Sequence, residues 1–394
     1  MIYADNPYTK LLHKHPYQEC KCCVMDTSDP WISFDERGVC NHCLAYARYL
    51  ETVGTPKDRE RKLEAMISGI KARGKGKDYD CILGLSGGVD SSYLAWFAVE
   101  KLGLRPLVVH VDAGWNSELA VNNIQNIVQR LKLDMHTLVI DWPEIRDLQK
   151  AYFLAGIANL DVPQDHAFIA SLYKEALKYG IKDILSGGNM QTESILPDAW
   201  GYDASDSVSL KAIHRKYGTV KLKNYPTVST LEKYVYYPFV QKMRVHRPLE
   251  LIDYKKESAK DTLKQSMGWR DYGGKHYESL FTKFFQAHYL PTKFGYDKRR
   301  AHFASLIVSG QMTKDEARRE LEKPLYDPRE LVDDKAFWIK KLGLSEVEFE
   351  RVMAAPPSFY TDFANNEKSL GHLKMAARVA KRLFGKLRLQ PPIR

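Results

Sequence analysis

The sequence predicts an α/β protein: a Rossmann-like parallel sheet with helices on both faces, a small cysteine-rich module before it and a mainly helical region after it. Three observations carry that expectation. Short apolar runs alternate with helix-patterned stretches from Asp80 to Leu185, and such β-α-β alternation requires a parallel sheet. Five of the six cysteines fall between Cys20 and Cys43. Beyond Pro238 the alternation fades, and segments 249–287, 297–322 and 328–353 read as helical and aromatic-rich. The resulting division is 1–50, a metal module; 51–78, a helical linker; 79–248, the α/β domain; and 249–394, the helical region.

The first module is built around ECKCCVMDTSDPWISFDERGVCNHC. Cys20 and Cys23 form one knuckle, Cys40 and Cys43 the other, with sixteen residues between the pairs. That spacing suits tetrahedral Zn²⁺ enclosed by four thiolates, a closed and therefore structural site. Cys22 offers a second pairing partner, His42 a further ligand type, and an iron–sulfur cluster would also take four thiolates. A dense cysteine cluster of this kind is metal-binding rather than a secreted disulfide scaffold. In the linker, Leu63, Met66, Ile67 and Ile70 recur at helical spacing. The glycines of KARGKGKD end that pattern.

In the α/β domain, Asp80–Leu85, Pro106–Val111, His136–Ile140 and Lys182–Leu185 read as strands. Ser91–Leu102, Leu119–Leu131 and His166–Tyr179 read as helices. Right-handed crossovers put the carboxyl ends of parallel strands along one edge, where open α/β sheets bind ligands. Cys81, inside the first strand, reads as a small buried residue. Near the carboxyl end, His372–Lys386 reads as a basic amphipathic helix.

The most informative segment follows the first strand and opens a helix: Ser86, Gly87, Gly88, Val89, Asp90, Ser91, Ser92. Its glycines let the backbone approach an anion, and the helix N-terminus presents N–H groups and a favourable dipole. Ser86, Ser91 and Ser92 can add hydroxyl donors. The loop lacks the lysine of the Walker motif. Two more strand ends fit the same plan: Asp112 closes the second strand, and Gly188 and Asn189 follow the fourth, with Glu193 just beyond.

A net charge of +10 suits polyanionic partners such as nucleotides or nucleotide-linked sugars. The basic groups are short and interrupted, so charge alone does not make a nucleic-acid binder. No apolar run is long enough to span a bilayer. With no signal-peptide pattern at the start, a cytoplasmic location is expected.

The string SGGVDSS resembles the PP-loop of the ATP pyrophosphatase superfamily, which includes GMP synthetase, NAD synthetase, asparagine synthetase and tRNA thiolation enzymes. That resemblance implies the adenine nucleotide α-hydrolase (HUP) type of sheet, with ATP and Mg²⁺ as cofactors. The loop would hold the phosphates that leave as pyrophosphate while AMP passes to a substrate oxygen. Three further segments narrow the resemblance: CVMDTSDPWISFDERGVCNHC, HVDAGWNSELAVNNI and WRDYGGKHYESLFTKFFQAHYLPTKFGYDKRRAH. Over roughly residues 18–325 the chain resembles the N-acetyl sugar amidotransferase family of the WbpG/PseA type.

This resemblance implies that the acetamido oxygen of an N-acetylated nucleotide sugar is adenylated. Ammonia then displaces AMP to leave an acetamidino group, in surface polysaccharide (O-antigen) or nonulosonic acid biosynthesis. The ammonia would come from a separate glutaminase subunit together with a cyclase-like channel protein; a nucleic-acid or membrane partner is not expected. It further implies catalytic roles for Asp90, Lys293, Lys298 and Glu193. Asp112 would lie near the adenosine, and Lys275, His276, Asn189 and Arg299 near the substrate. Asp165, with Asp161 and His166, would stand where ammonia enters, Asp165 having the alternative role of capping its helix. The rival readings are a tRNA-modifying PP-loop enzyme and a non-catalytic zinc-module binding protein. No cysteine follows Cys81, which counts against persulfide chemistry.

Overall fold

The computed structural model describes residues 16–273 and 279–384. Two helices follow the cysteine module, α1 (Asn41–Val53) and α2 (Pro56–Gly74). Then come β1 (Cys81–Gly84), α3 (Val89–Trp96), β2 (Pro106–Asp112), α4 (Glu118–Leu131) and β3 (Met135–Val139). The chain continues through α5 (Trp142–Ala155), α6 (Val162–Lys178), β4 (Asp183–Leu185), α7 (Met190–Glu193), α8 (Ser207–Tyr217) and β5 (Arg244–His246). The helical region contains α9 (Lys256–Met267), α10 (Leu280–Phe284), α11 (Leu290–Phe294), α12 (Lys298–Val308) and α13 (Lys314–Glu322). It ends with α14 (Pro328–Leu342), α15 (Glu346–Ala354) and α16 (Glu367–Phe384).

All strand pairs are parallel, in the order β3-β2-β1-β4-β5. The chain winds outward from β1 to β3, then returns to β4 on the other side of β1. The gap between the carboxyl ends of β1 and β4 is therefore the topological switch point, where such sheets take ligands. Successive side chains of a strand face opposite ways. Ile82, Leu107, Val109 and Ile184 accordingly join one core with α5, α6 and α8. Cys81, Leu83, Val108 and Leu185 join the other with α2, α3, α4 and α9. Each fully buried aliphatic side chain contributes roughly 1.5–3 kcal/mol, so both faces are held by burial.

The structure adds elements that the sequence pattern does not announce. β5 is only three residues long, too short for a period-2 signal. α5 buries Glu144, Asp147 and Gln149, and polar residues on its inner face hide its amphipathic stripe. These acids hold the chain beyond α8. Glu144 accepts the N–H groups of Lys223, Asn224 and Tyr225. Asp147 accepts those of Thr219 and Val220. Burial would raise both carboxyls, but these donors keep them below the usual range. Helix α6 begins four residues before the expected start, at Val162. Among the described residues no helix is long and apolar enough to cross a membrane.

The cysteine module docks on α12 and α13. Arg300 donates to the Val24 carbonyl at 2.8 Å and pairs with Asp26 at 3.1 Å. Lys314 reaches the Cys20 carbonyl and Glu19, which also pairs with Arg318 at 2.7 Å.

Candidate active site

The phosphate loop sits where β1 gives way to α3. Gly87 adopts φ 83°, and a Cβ there would stand 2.7 Å from the Ala120 carbonyl oxygen, so both backbone and packing require glycine. Gly88 is the N-cap of α3 and supplies no side-chain cap, so no side chain of its own blocks an end of the kind that binds anions. Ser86 is exposed, and its Oγ lies 3.1 Å from that of Ser91 while accepting the Gly88 N–H. Ser91 in turn donates to the Gly88 carbonyl at 3.2 Å. Ser92 is different: its side chain is fully buried and its hydroxyl has no hydrogen-bond partner.

Residues far along the chain fasten the loop. The Trp269 indole donates to the Gly87 carbonyl at 2.9 Å, and the Val89 N–H donates to the Tyr272 hydroxyl at 3.1 Å. The Tyr254 hydroxyl donates to the Asp90 carboxylate at 2.6 Å. Burial drives the Tyr254 phenol far up, helped by the negative charges of Asp90 and Glu193. Only the Asp90 carboxylate bonds the phenol; Glu193 acts on it through its charge, and carboxylates beside a phosphate loop suit a divalent cation. Gly187, after β4, comes within 3.3 Å of the Asp90 backbone when given a Cβ, closing the switch point from the other side. Gly188 belongs to the same turn, its N–H donating to the Ser186 hydroxyl at 3.2 Å. Lys256 and His302 sit nearby, with Nζ and Nε2 3.2 Å apart.

At the end of β2, Asp112 accepts from the Gly114 N–H at 2.7 Å and from the Asn116 amide at 3.2 Å. It is half-buried on the same edge. Lys341 of α14 reaches the Gly114 carbonyl and lies 4.5 Å from the Trp115 ring centre. Burial lowers the Lys341 ammonium, and Asp112 partly restores it.

A second cluster forms at the start of α6. That helix leads into β4, so it runs antiparallel to the strands and begins at their carboxyl edge. Asp161 accepts from Gln164 at 2.8 Å and Thr282 at 2.9 Å. Burial, and then the Asp161 charge, push Asp165 up to about 8, with Lys298 pulling the other way. Asp165 thus feels the charges of both Asp161 and Lys298. Asp165 is not an N-cap: that position belongs to Asp161, and Asp165 lies in the first helical turn.

Other expected site residues take structural roles. Lys293 is 1% exposed and donates to the carbonyls of Val352 and Ala355, at the end of α15. Burial lowers its ammonium to about 8. Arg299 grips Asp297 and the carbonyls of Glu320, Leu321 and Lys323, closing α13. Asn189 caps α7 by accepting the Thr192 N–H at 2.9 Å. His166 is held neutral, burial lowering it to about 4, while its ring bonds Ala204 and Val228. Lys275 and His276 lie outside the described residues. Spacing gave no clue to Tyr254, Lys256, Trp269, Tyr272 and His302, although Trp269 and Tyr272 belong to the WRDYGG string.

The four cysteines of the N-terminal module place their sulfurs within 4.8 Å of one another. Cys20 and Cys43 are 3.9 Å apart, Cys23 and Cys40 3.8 Å. Four ligands at ~2.3 Å around a tetrahedral Zn²⁺ lie about 3.8 Å apart, so the donors fit a metal. Backbone N–H groups of Cys22, Met25 and Cys40 point at the sulfurs. Cys22 is exposed and outside the cluster. His42 instead pairs with Asp29 at 2.7 Å.

Residues 278–379 match the family described as "LPS biosynthesis protein WbpG-like, C-terminal domain". Residues 63–160 match the NAD synthase family. An uncharacterized protein of Methanocaldococcus jannaschii is 22% identical over 322 residues, covering 80% of this chain and 97% of the relative. A glutamine-hydrolyzing GMP synthase of Sulfurimonas denitrificans is 31% identical over 150 residues, 36% of this chain and 27% of the synthase. Among solved structures, NMN synthetase from Francisella tularensis aligns with a TM-score of 0.28 and 19% identity, over 35% of this chain and 56% of that one. An NH3-dependent NAD synthetase from Campylobacter jejuni gives 0.26 and 18%, over 34% and 58%. The chain therefore spans little more than half of either synthetase.

Proposed function

We propose, for a chain that joins a PP-loop domain of the NAD synthase type to a WbpG-like C-terminal domain, the role of an ATP-dependent amidotransferase acting on an N-acetylated nucleotide sugar. One observation carries the reading: the loop after β1 and the turn after β4 close on each other at the switch point, with Asp90 holding the Tyr254 hydroxyl at 2.6 Å and a Cβ on Gly187 coming within 3.3 Å of the Asp90 backbone.

Ser86, Gly87 and Gly88 cradle the phosphates of ATP, and the α3 dipole favours their charge. Asp90 and Glu193 would hold Mg²⁺, which neutralises charge on the leaving pyrophosphate. The acetamido oxygen attacks the α-phosphorus, the bond to the β-phosphate oxygen breaks, and pyrophosphate departs. Ammonia then attacks the activated carbon and AMP leaves with the former acetamido oxygen, giving an acetamidino group. Lys298 supplies positive charge near the developing anions. The cysteine module would hold a structural Zn²⁺ away from this chemistry.

A separate glutaminase subunit, with a cyclase-like channel protein, supplies the ammonia, and the product enters surface polysaccharide biosynthesis in the cytoplasm. The test is AMP release from Mg-ATP and excess ammonium salt across a panel of N-acetylated nucleotide sugars, with mass spectrometry of the sugar. AMP that depends on one sugar, with a lighter and more basic product, is the expected result. AMP release indifferent to every sugar, from folded and metal-loaded protein, overturns the reading.

A further inference from the structure

Strand β1 ends at Gly84, and the peptide that follows joins Leu85 to Ser86, the first residue of the phosphate loop. The Leu85 N–H still donates to the Val109 carbonyl at 3.0 Å. Its carbonyl takes a side-chain partner instead: Nδ1 of His110, on β2, lies 2.9 Å away. The His110 side chain is buried, 7% exposed. A peptide unit is planar, so fixing the Leu85 oxygen also fixes the direction of the Ser86 N–H, which reaches the Ser91 hydroxyl at 3.3 Å. One imidazole thus sets the plane from which the loop departs.

Two residues further along set the state of that ring. A carbonyl only accepts, so Nδ1 carries the proton. At the other side of the ring, Nε2 lies 3.1 Å from the Asn116 amide nitrogen. The same nitrogen lies 3.2 Å from the Asp112 carboxylate, where an amide oxygen would face a negative oxygen. Asp112 therefore turns the Asn116 amide so that each neighbour receives one hydrogen, and Nε2 accepts. The turn that carries Asn116 is held from the helical region. The Leu280 N–H donates to the Trp115 carbonyl at 3.1 Å, and Lys341 donates to the Gly114 carbonyl.

We propose that His110 is a positioning residue for the phosphate loop. Asp112 and Asn116 lock it as the neutral Nδ1–H tautomer, and that tautomer holds the Leu85–Ser86 peptide in the plane that receives phosphate. The relay joins the carboxylate at the end of β2 to the loop at the end of β1, across two paired strands. Its bearing on turnover rests on the amidotransferase reading; its bearing on Mg-ATP rests on the loop alone.

Three variants of the full chain separate positioning from packing. An asparagine amide nitrogen stands where Nδ1 does, and a glutamine amide nitrogen where Nε2 does. His110→Asn therefore keeps the donor to Leu85, His110→Gln loses it, and Asn116→Ala releases the ring. Mg-ATP affinity is read by calorimetry without an acceptor. His110→Gln and Asn116→Ala should weaken it roughly fivefold, as for loss of one hydrogen bond, with His110→Asn within about twofold of the unsubstituted chain. Equal weakening in both His110 variants marks a packing role and overturns the proposal, as does unchanged affinity in His110→Gln. In AMP release, the KM for ATP should follow the same pattern while the KM for the sugar stays put; a parallel rise for the sugar overturns it. Nitrogen NMR of the unsubstituted chain, labelled at histidine, needs no variant to fold. A neutral His110 with its proton on Nδ1 is expected, and a proton on Nε2 overturns the relay. If the affinity pattern holds and no N-acetylated nucleotide sugar elicits AMP, the amidotransferase reading falls and the positioning role stands.

Discussion

Asp90 shows how a single residue ties the site to the fold. Its carboxylate holds the Tyr254 hydroxyl at 2.6 Å, and a hydrogen bond to a charged group is worth about 1.5–3 kcal/mol. Tyr254→Phe should therefore cut AMP release at limiting Mg-ATP by about tenfold or more, and a turnover assay on folded protein checks it. Asp90→Ala and Ser86→Ala should abolish AMP release with an unchanged circular dichroism spectrum; normal turnover in either would remove the phosphate-loop assignment. Asp165 offers a pH signature. Its folded-state value of about 8 lies above the ordinary 3.8, so the folded state binds the proton more tightly. Stability is then fullest at low pH and declines as pH rises from about 4 to 8. Asp165→Asn should flatten that decline in denaturant titrations at pH 5 and pH 8, and an unaltered slope would refute the shift. The phosphate loop was legible in the sequence because its parts are contiguous. Tyr254, Trp269 and Tyr272 were not, because they meet the loop from more than 160 residues away.

At the scale of elements, helix ends explain why some cations read as site residues also hold the scaffold. Lys293 and Arg299 sit in a basic, aromatic string whose types suit phosphate binding. The string also supplies the ends of α13 and α15, where carbonyls lack intrahelical donors. Sequence spacing does not distinguish these uses, since the receiving carbonyls lie in later segments. Lys293→Met should leave the Val352 and Ala355 carbonyls without this donor, at a cost of about 1–3 kcal/mol. The expected readout is a lower denaturation midpoint with turnover per folded molecule retained; lost turnover at unchanged stability would restore a catalytic role. The cysteine knuckles were legible for the opposite reason, since each pair is local. Cys23→Ser should release the metal and unfold the module, because structural metal binding is coupled to folding. Metal analysis beside a melting curve checks this, and a stable, metal-free, active variant would contradict it.

Across the whole molecule, the divisions drawn from composition interleave in space. The parallel sheet was readable from β-α-β alternation, yet α9 belongs to the helical region and packs on the phosphate-loop helix α3. The cysteine module leans on α12 and α13 through Arg300, Lys314 and Arg318. These contacts are absent from any local pattern, since 299 positions separate Glu19 from Arg318. The same distances have a consequence during translation. The phosphate loop leaves the ribosome 164 residues before Tyr254 and 183 before Tyr272. A nascent chain thus carries its nucleotide loop without its fasteners through much of its synthesis. The loop is fastened only once the chain has been made through Tyr272, so products cut before Tyr254 hold the recognisable motif without the residues that fasten it.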